Sequence, residues 1–157
     1  MKRHTPYIIL IGVLVAVDQI TKTLVAASVP KYGTRAVIPG FFDISHVPNA
    51  GAIFGMFSGS GNKLVTILLT AAQIAAMVMV IYYFFKTPAS QKGMKFALTL
   101  ILSGAFGNLI DRVIHGYVID FLRFYIKRAE WPNFNVADSC ITIGAVLLIF
   151  FLFTRRS

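Results

Sequence analysis

The chain predicts an all-α polytopic membrane protein, with four transmembrane helices, a small extracytoplasmic β-structure and an interfacial amphipathic helix. Of its 157 residues, 57% are hydrophobic and only 13% are charged, about half the charged share of an ordinary soluble domain. Four apolar runs, near residues 7–28, 64–85, 96–114 and 136–153, each approach the ~20 residues that a helix needs to cross a bilayer. The basic residues stand mostly beside those runs and do not gather in one stripe.

The first run follows Lys2-Arg3 and ends near Ala26-Ala27-Ser28, a pattern that also describes a cleaved signal peptide. Asp18 and Lys22 interrupt it before that site, so a retained helix is expected. Residues 30–63 contain strand-like stretches, Arg35–Ile38 and Phe41–Val47, divided by Pro39-Gly40 and closed by Pro48. A glycine-spaced run, Gly51 to Gly61, follows. Residues 64–85 form the cleanest span, with Gln73 and threonines as their polar groups. The third run carries Asp111 and Arg112 near its end. Residues 117–130 read as an amphipathic helix: Val118, Phe121, Leu122, Tyr125 and Ala129 on one face, Asp120, Arg123 and Lys127 on another. Tyr117 and Trp131 flank it, which places it at the outer interface. The fourth run begins after Asn135 and holds Asp138 in its first turn.

Fifteen Lys and Arg against six carboxylates leave a formal charge of +9. Such a charge suits nucleic acid or anionic lipid and helix ends. The placement of the basic residues favours lipid, and no nucleic-acid partner is expected. With both termini inside, the short cytoplasmic segments hold Lys2, Arg3, Lys86, Lys92, Lys95, Arg155 and Arg156. The longer outer segments hold Lys31, Arg35, Lys63, Arg123, Lys127 and Arg128. The higher inner density favours cytoplasmic termini. Cys140 is the sole cysteine, so no intramolecular disulfide forms, and its apolar run suits a small buried thiol. His4, His46 and His115 are not adjacent to it in sequence.

The acids are Asp18, Asp43, Asp111, Asp120, Glu130 and Asp138. A carboxylate within a span is costly and marks a functional site by default. The topology brings Asp111, Asp120 and Asp138 to one depth, from two helices and their connection, while Asp18 lies nearer the midplane. Ordinary roles remain open for each. Asp18 can neutralise Lys22 at i,i+4, and Asp111 can pair with Arg112. Asp120 can pair with Arg123, and Asp138 can satisfy free helix amides with Asn135 as cap. As a close pair, Asp120 and Asp138 would share one proton near neutral pH. The ionised member can take a proton from water while the other hydrogen-bonds a scissile carbonyl. That chemistry uses no metal or cofactor, and no histidine accompanies these acids at ligand spacing.

Five blocks, in order, resemble those of the lipoprotein signal peptidase family. They are Asp18-Gln19-Ile20-Thr21-Lys22; Asn49-Ala50-Gly51-Ala52-Ile53-Phe54-Gly55; Gly107-Asn108-Leu109-Ile110-Asp111-Arg112; Gly116-Tyr117-Val118-Ile119-Asp120-Phe121; and Phe134-Asn135-Val136-Ala137-Asp138-Ser139. The resemblance covers nearly the whole chain as one integral-membrane peptidase domain, departing at Ile53, where a small residue is common. It implies four helices, an outer β-cradle and an interfacial helix. By that similarity Asp120 and Asp138 are the catalytic dyad. Asn49, Asn108, Asp111, Arg112 and Asn135 then line or brace the site, and Asp18 and Lys22 support it. The implied substrate is a diacylglyceryl-modified bacterial prolipoprotein, cut just before its lipidated cysteine at the outer face of the cytoplasmic (inner) membrane. Membrane lipid is the surrounding partner, and a monomer is expected. A proton-coupled transporter or a noncatalytic assembly factor are the other readings. The first would place its acids at the midplane, and the second would tolerate loss of either aspartate.

Overall fold

The structure, a computed structural model, describes residues 4–50 and 63–154. The glycine-spaced run and Ile53 lie outside the described residues. The chain order is α1 (Thr5–Ser28), β1 (Thr34–Ile38), β2 (Phe42–Asn49), α2 (Lys63–Lys86), α3 (Lys92–His115), β3 (Val118–Ile126), β4 (Ala129–Glu130) and α4 (Val136–Thr154). Each helix is long and apolar enough to cross a membrane. Pro6 sits in the first turn of α1, where a missing N–H costs nothing.

The helix α3 packs against each of the other three, and small residues let it do so. A Cβ on Gly104 would press into the Ala137 carbonyl and Ile141, and one on Gly144 would lie 2.8 Å from the Ala97 carbonyl oxygen. Without an apolar driving force between helices in lipid, such close backbone approach supplies the packing. Met77, Phe84, Leu98, Leu102 and Ala105 form the core between α2 and α3, with Tyr7 and Ile11 of α1 against it. Large apolar side chains such as Ile9, Leu24, Val78 and Ile149 are exposed, as a bilayer-facing surface requires.

One antiparallel sheet, in the order β1-β2-β3-β4, caps the end of the bundle where α1 and α3 finish and α4 starts. Here the expectation for residues 117–130 is overturned: they form β3 and β4, not an amphipathic helix. Val118, Ile119, Phe121, Phe124, Tyr125 and Ile126 are β-branched or aromatic, the residue types that suit a pleated surface. Residues 118–121 are all buried, so the alternation that marks a half-exposed strand is absent and a helical grouping appears by coincidence. The strand β3 is paired to β2 from Phe42↔Phe124 to Asn49↔Val118, so it is an integral part of the sheet. Gly116, left-handed at φ 77°, ends α3 with its N–H on the Arg112 carbonyl and turns the chain into β3.

A bulge in β2 sets which side chains face the bundle. Ile44 pairs with Leu122 and Val47 with Asp120, so three steps on β2 match two on β3. The extra residue restores the parity of β2 and puts Asn49 on the same face as Asp120. Below the sheet, Val25, Val29 and Phe121 are buried together with Ile44, Leu122 and Val136 against them.

Candidate active site

Four of the six carboxylates meet where α1, α3, α4 and β3 converge. Asn135, fully buried at 0% exposure, is the hub. Its side-chain oxygen accepts the Asp138 N–H at 2.9 Å, and the Asp138 Oδ2 accepts the Asn135 N–H at 3.3 Å. This reciprocal pair is a capping box that opens α4, so the capping role expected of Asn135 is what the structure contains. The Asn135 amide also donates to Asp120 Oδ1 at 2.8 Å, to Asn108 Oδ1 at 3.2 Å and to the Ile119 carbonyl at 3.3 Å. One side chain therefore ties the residue that starts α4 to the strand that carries Asp120.

Both carboxyls of this pair are held on each oxygen. Asp120 Oδ2 accepts from Asn49 at 2.9 Å, which the bulge in β2 makes possible. Asp138 Oδ1 accepts from Asn108 at 2.7 Å. Asn108 turns its own oxygen to Lys22 Nζ, 3.1 Å away, so its amide orientation is dictated from both sides. Asp120 lies in β3, where burial first, and the neighbouring Asp138 second, push its carboxyl up to about 7, against the donors Asn49 and Asn135 and the charge of Lys22.

Beneath the pair lies a second, ionic layer. Lys22 Nζ sits 2.7 Å from Asp18 Oδ2 and 2.9 Å from Asp111 Oδ2, with all three side chains almost fully buried. The pairing of Asp18 with Lys22 matches the expected neutralisation, but Asp111 shares the same cation. Asp18 also accepts the Ala137 N–H at 2.9 Å, another free amide of α4. Although Asp18 is mid-helix in α1, it therefore stands level with the first turn of α4, not deeper as the sequence suggested. Gly107 permits this approach, since a Cβ there would lie 2.6 Å from Asp18 Oδ2. Asp111 in turn accepts the Ile119 N–H at 3.1 Å and fastens β3 to α3.

Two expected ion pairs do not form. Adjacent residues of a helix point about 100° apart; accordingly Asp111 turns to Lys22 while Arg112 hydrogen-bonds Gln73 of α2. Residues three apart on a strand face opposite sides; accordingly Arg123 leaves Asp120 and pairs with Glu130 at 2.7 Å and Asp43 at 3.4 Å. The sequence reading also missed Gln19, whose amide donates to Asp111 at 2.9 Å, the Gly107 carbonyl at 3.1 Å and Asp18 at 3.2 Å. Its place inside an apolar span, between Asp18 and Lys22, was the available signal. Cys140 is buried in α4. Among the described residues, no three histidine, cysteine or acidic side chains are grouped to hold a metal ion.

A family model described as signal peptidase (SPase) II matches residues 10–154. The lipoprotein signal peptidase of Symbiobacterium thermophilum is 41% identical over 145 residues, covering 92% of each chain. That of Desulforapulum autotrophicum is 38% identical over 138 residues, covering 88% of this chain and 85% of the other. A solved structure titled as a bacterial membrane enzyme, determined by the in meso method at 2.3 Å resolution, superposes with a TM-score of 0.84 at 33% identity. It covers 98% of this chain and 90% of that one.

Proposed function

Since the chain belongs to the signal peptidase II family, we propose that it is an intramembrane aspartic endopeptidase acting on diacylglyceryl-modified bacterial prolipoproteins. It releases the signal peptide by cleaving just before the lipidated cysteine, with Asp120 and Asp138 as the catalytic dyad. The observation that carries this reading is the join through Asn135: two carboxyls from different elements, held on every oxygen, with Asp120 raised to about 7. Such a pair can share one proton at neutral pH.

In the proposed reaction, the ionised member of the dyad takes a proton from water, and the resulting hydroxide attacks the scissile carbonyl. The protonated member hydrogen-bonds that carbonyl oxygen as charge develops on it. Collapse of the tetrahedral intermediate breaks the C–N bond, and a dyad proton passes to the leaving amine. Asn49, Asn108 and Asn135 orient the carboxyls. Lys22, Asp18 and Asp111 form the ionic floor that fixes α1, α3 and β3 around them. Arg112 is a supporting cation. The chemistry needs no metal or cofactor. We place the enzyme as a monomer in the cytoplasmic membrane, with both termini inside and the dyad near the outer face.

The test is purified protein with a diacylglyceryl-modified prolipoprotein, scored for signal-peptide release. Asp120→Asn and Asp138→Asn should each abolish cleavage, and the double variant should be scarcely worse, as for groups that act as a unit. A chelator should have no effect. Wild-type turnover by Asp138→Asn, or activity lost to a chelator and restored by zinc, would overturn the mechanism.

A further inference from the structure

The helix α2 has a largely apolar surface, and the reaction above leaves its half-buried Gln73 unused. Gln73 lies on the stripe that continues through Met77 and Phe84 against α3. Its amide donates to the Ala105 carbonyl at 2.8 Å, while its oxygen accepts from Arg112 NH1. Arg112 stands three residues from the end of α3. Gln73 stands ten residues from the sheet end of α2, roughly 15 Å along the axis. An arginine near a helix end ordinarily extends its charge towards water. This one is drawn back into the bundle.

There the guanidinium feels Asp138, Asp120 and Asp111 electrostatically. It makes no ion pair with any of them among the described residues, where the acidic partner of Lys22 is Asp18 or Asp111 and that of Arg123 is Glu130 or Asp43. A guanidinium in direct contact with a carboxylate would favour its ionised form, and a dyad ionised on both members could no longer donate a proton to the scissile carbonyl. We infer that Gln73 is a positioning residue: it holds Arg112 within electrostatic reach of Asp120 and Asp138 but out of ion-pair contact, and so preserves their shared proton. The inference rests on the dyad reading above. It adds a fourth helix to the site, since α2 joins α1, α3 and α4 through this contact.

The test is the pH dependence of kcat/KM on a diacylglyceryl-modified prolipoprotein in detergent, whose alkaline limb reports loss of the shared proton in the free enzyme. Gln73→Leu should release Arg112 towards the dyad and move that limb to lower pH by about one unit. Gln73→Glu, close to the same shape, should engage the guanidinium with a new carboxylate and move the limb to higher pH. In an Arg112→Gln background, Gln73→Leu should produce no further shift. A purely structural Gln73 would change thermal stability and leave the limb in place. An unmoved limb, or shifts in the same direction, would overturn the inference. If Gln73→Leu does not fold, Gln73→Glu alone decides by the same criterion. Turnover by Asp120→Asn or Asp138→Asn would instead sink the dyad reading. Inactive dyad variants with an unmoved limb would sink only the role of Gln73.

Discussion

Asp120 receives an asparagine amide on each oxygen, yet burial and Asp138 keep it near 7. This has a cost in stability with a definite sign. An unfolded aspartate loses its proton near 3.9, whereas the folded protein keeps this one until about 7. Between those values the folded state binds more protons, so stability falls as pH rises through the window and levels off above it. Asp120→Asn removes the slope. Its thermal midpoint in detergent should exceed that of the wild type by more at pH 8 than at pH 5, the full effect being at most about 4 kcal/mol. Equal gaps at the two pH values would mean that Asp120 is not held protonated. At this scale the sequence was informative about which residues meet, because carboxylates and amides in apolar spans are rare. It was less informative about their pairing. The side-chain directions that sent Asp111 to Lys22 and Arg123 to Glu130 follow from local geometry once the elements are known.

Among the elements, the α3–α4 contact is the most demanding. A methyl group on Gly104 has no room, because it would meet the backbone carbonyl of Ala137, one residue before Asp138. Gly12, by contrast, has nothing within 4 Å of the added carbon. Gly104→Ala should therefore lower the thermal midpoint, by about 1–3 kcal/mol of overpacking, and reduce cleavage by displacing the first turn of α4. Gly12→Ala should be neutral or slightly stabilising through helix propensity. Equal loss from both would refute the close-packing argument. The four helices and the first two strands were legible because long apolar runs and Pro-Gly breaks are strong signals. The segment at 117–130 was not, since a strand buried on both faces has no alternation to read. Its β-branched and aromatic content carried the better evidence.

For the molecule as a whole, Asp120, Asn135 and Asp138 lie beside the sheet, at the end of the bundle where α3 finishes and α4 starts, and Asp18 and Lys22 meet them from farther along α1. The orientation of that end follows from basic-residue density alone and needs its own test. In a Cys140→Ala background, Ser90→Cys lies in the short α2–α3 connection and is exposed. It should resist a membrane-impermeant thiol reagent applied from outside and react once the membrane is opened. Labelling from outside would invert the topology. The Lys22 layer also bears on how the chain is built. Asp18 and Lys22 sit one turn apart on α1, so that helix can enter lipid with the two charges neutralising each other. Asp138 has no such companion on α4. Its amide donors are Asn108 of α3 and the backbone N–H of Asn135, three residues earlier, while Asp18 of α1 closes the adjacent Ala137 amide. Of the two helices, α4 is thus the dependent one. Its first turn finds its partners only in a receptacle that α1 and α3 supply, which ties completion of the candidate site to the docking of α4.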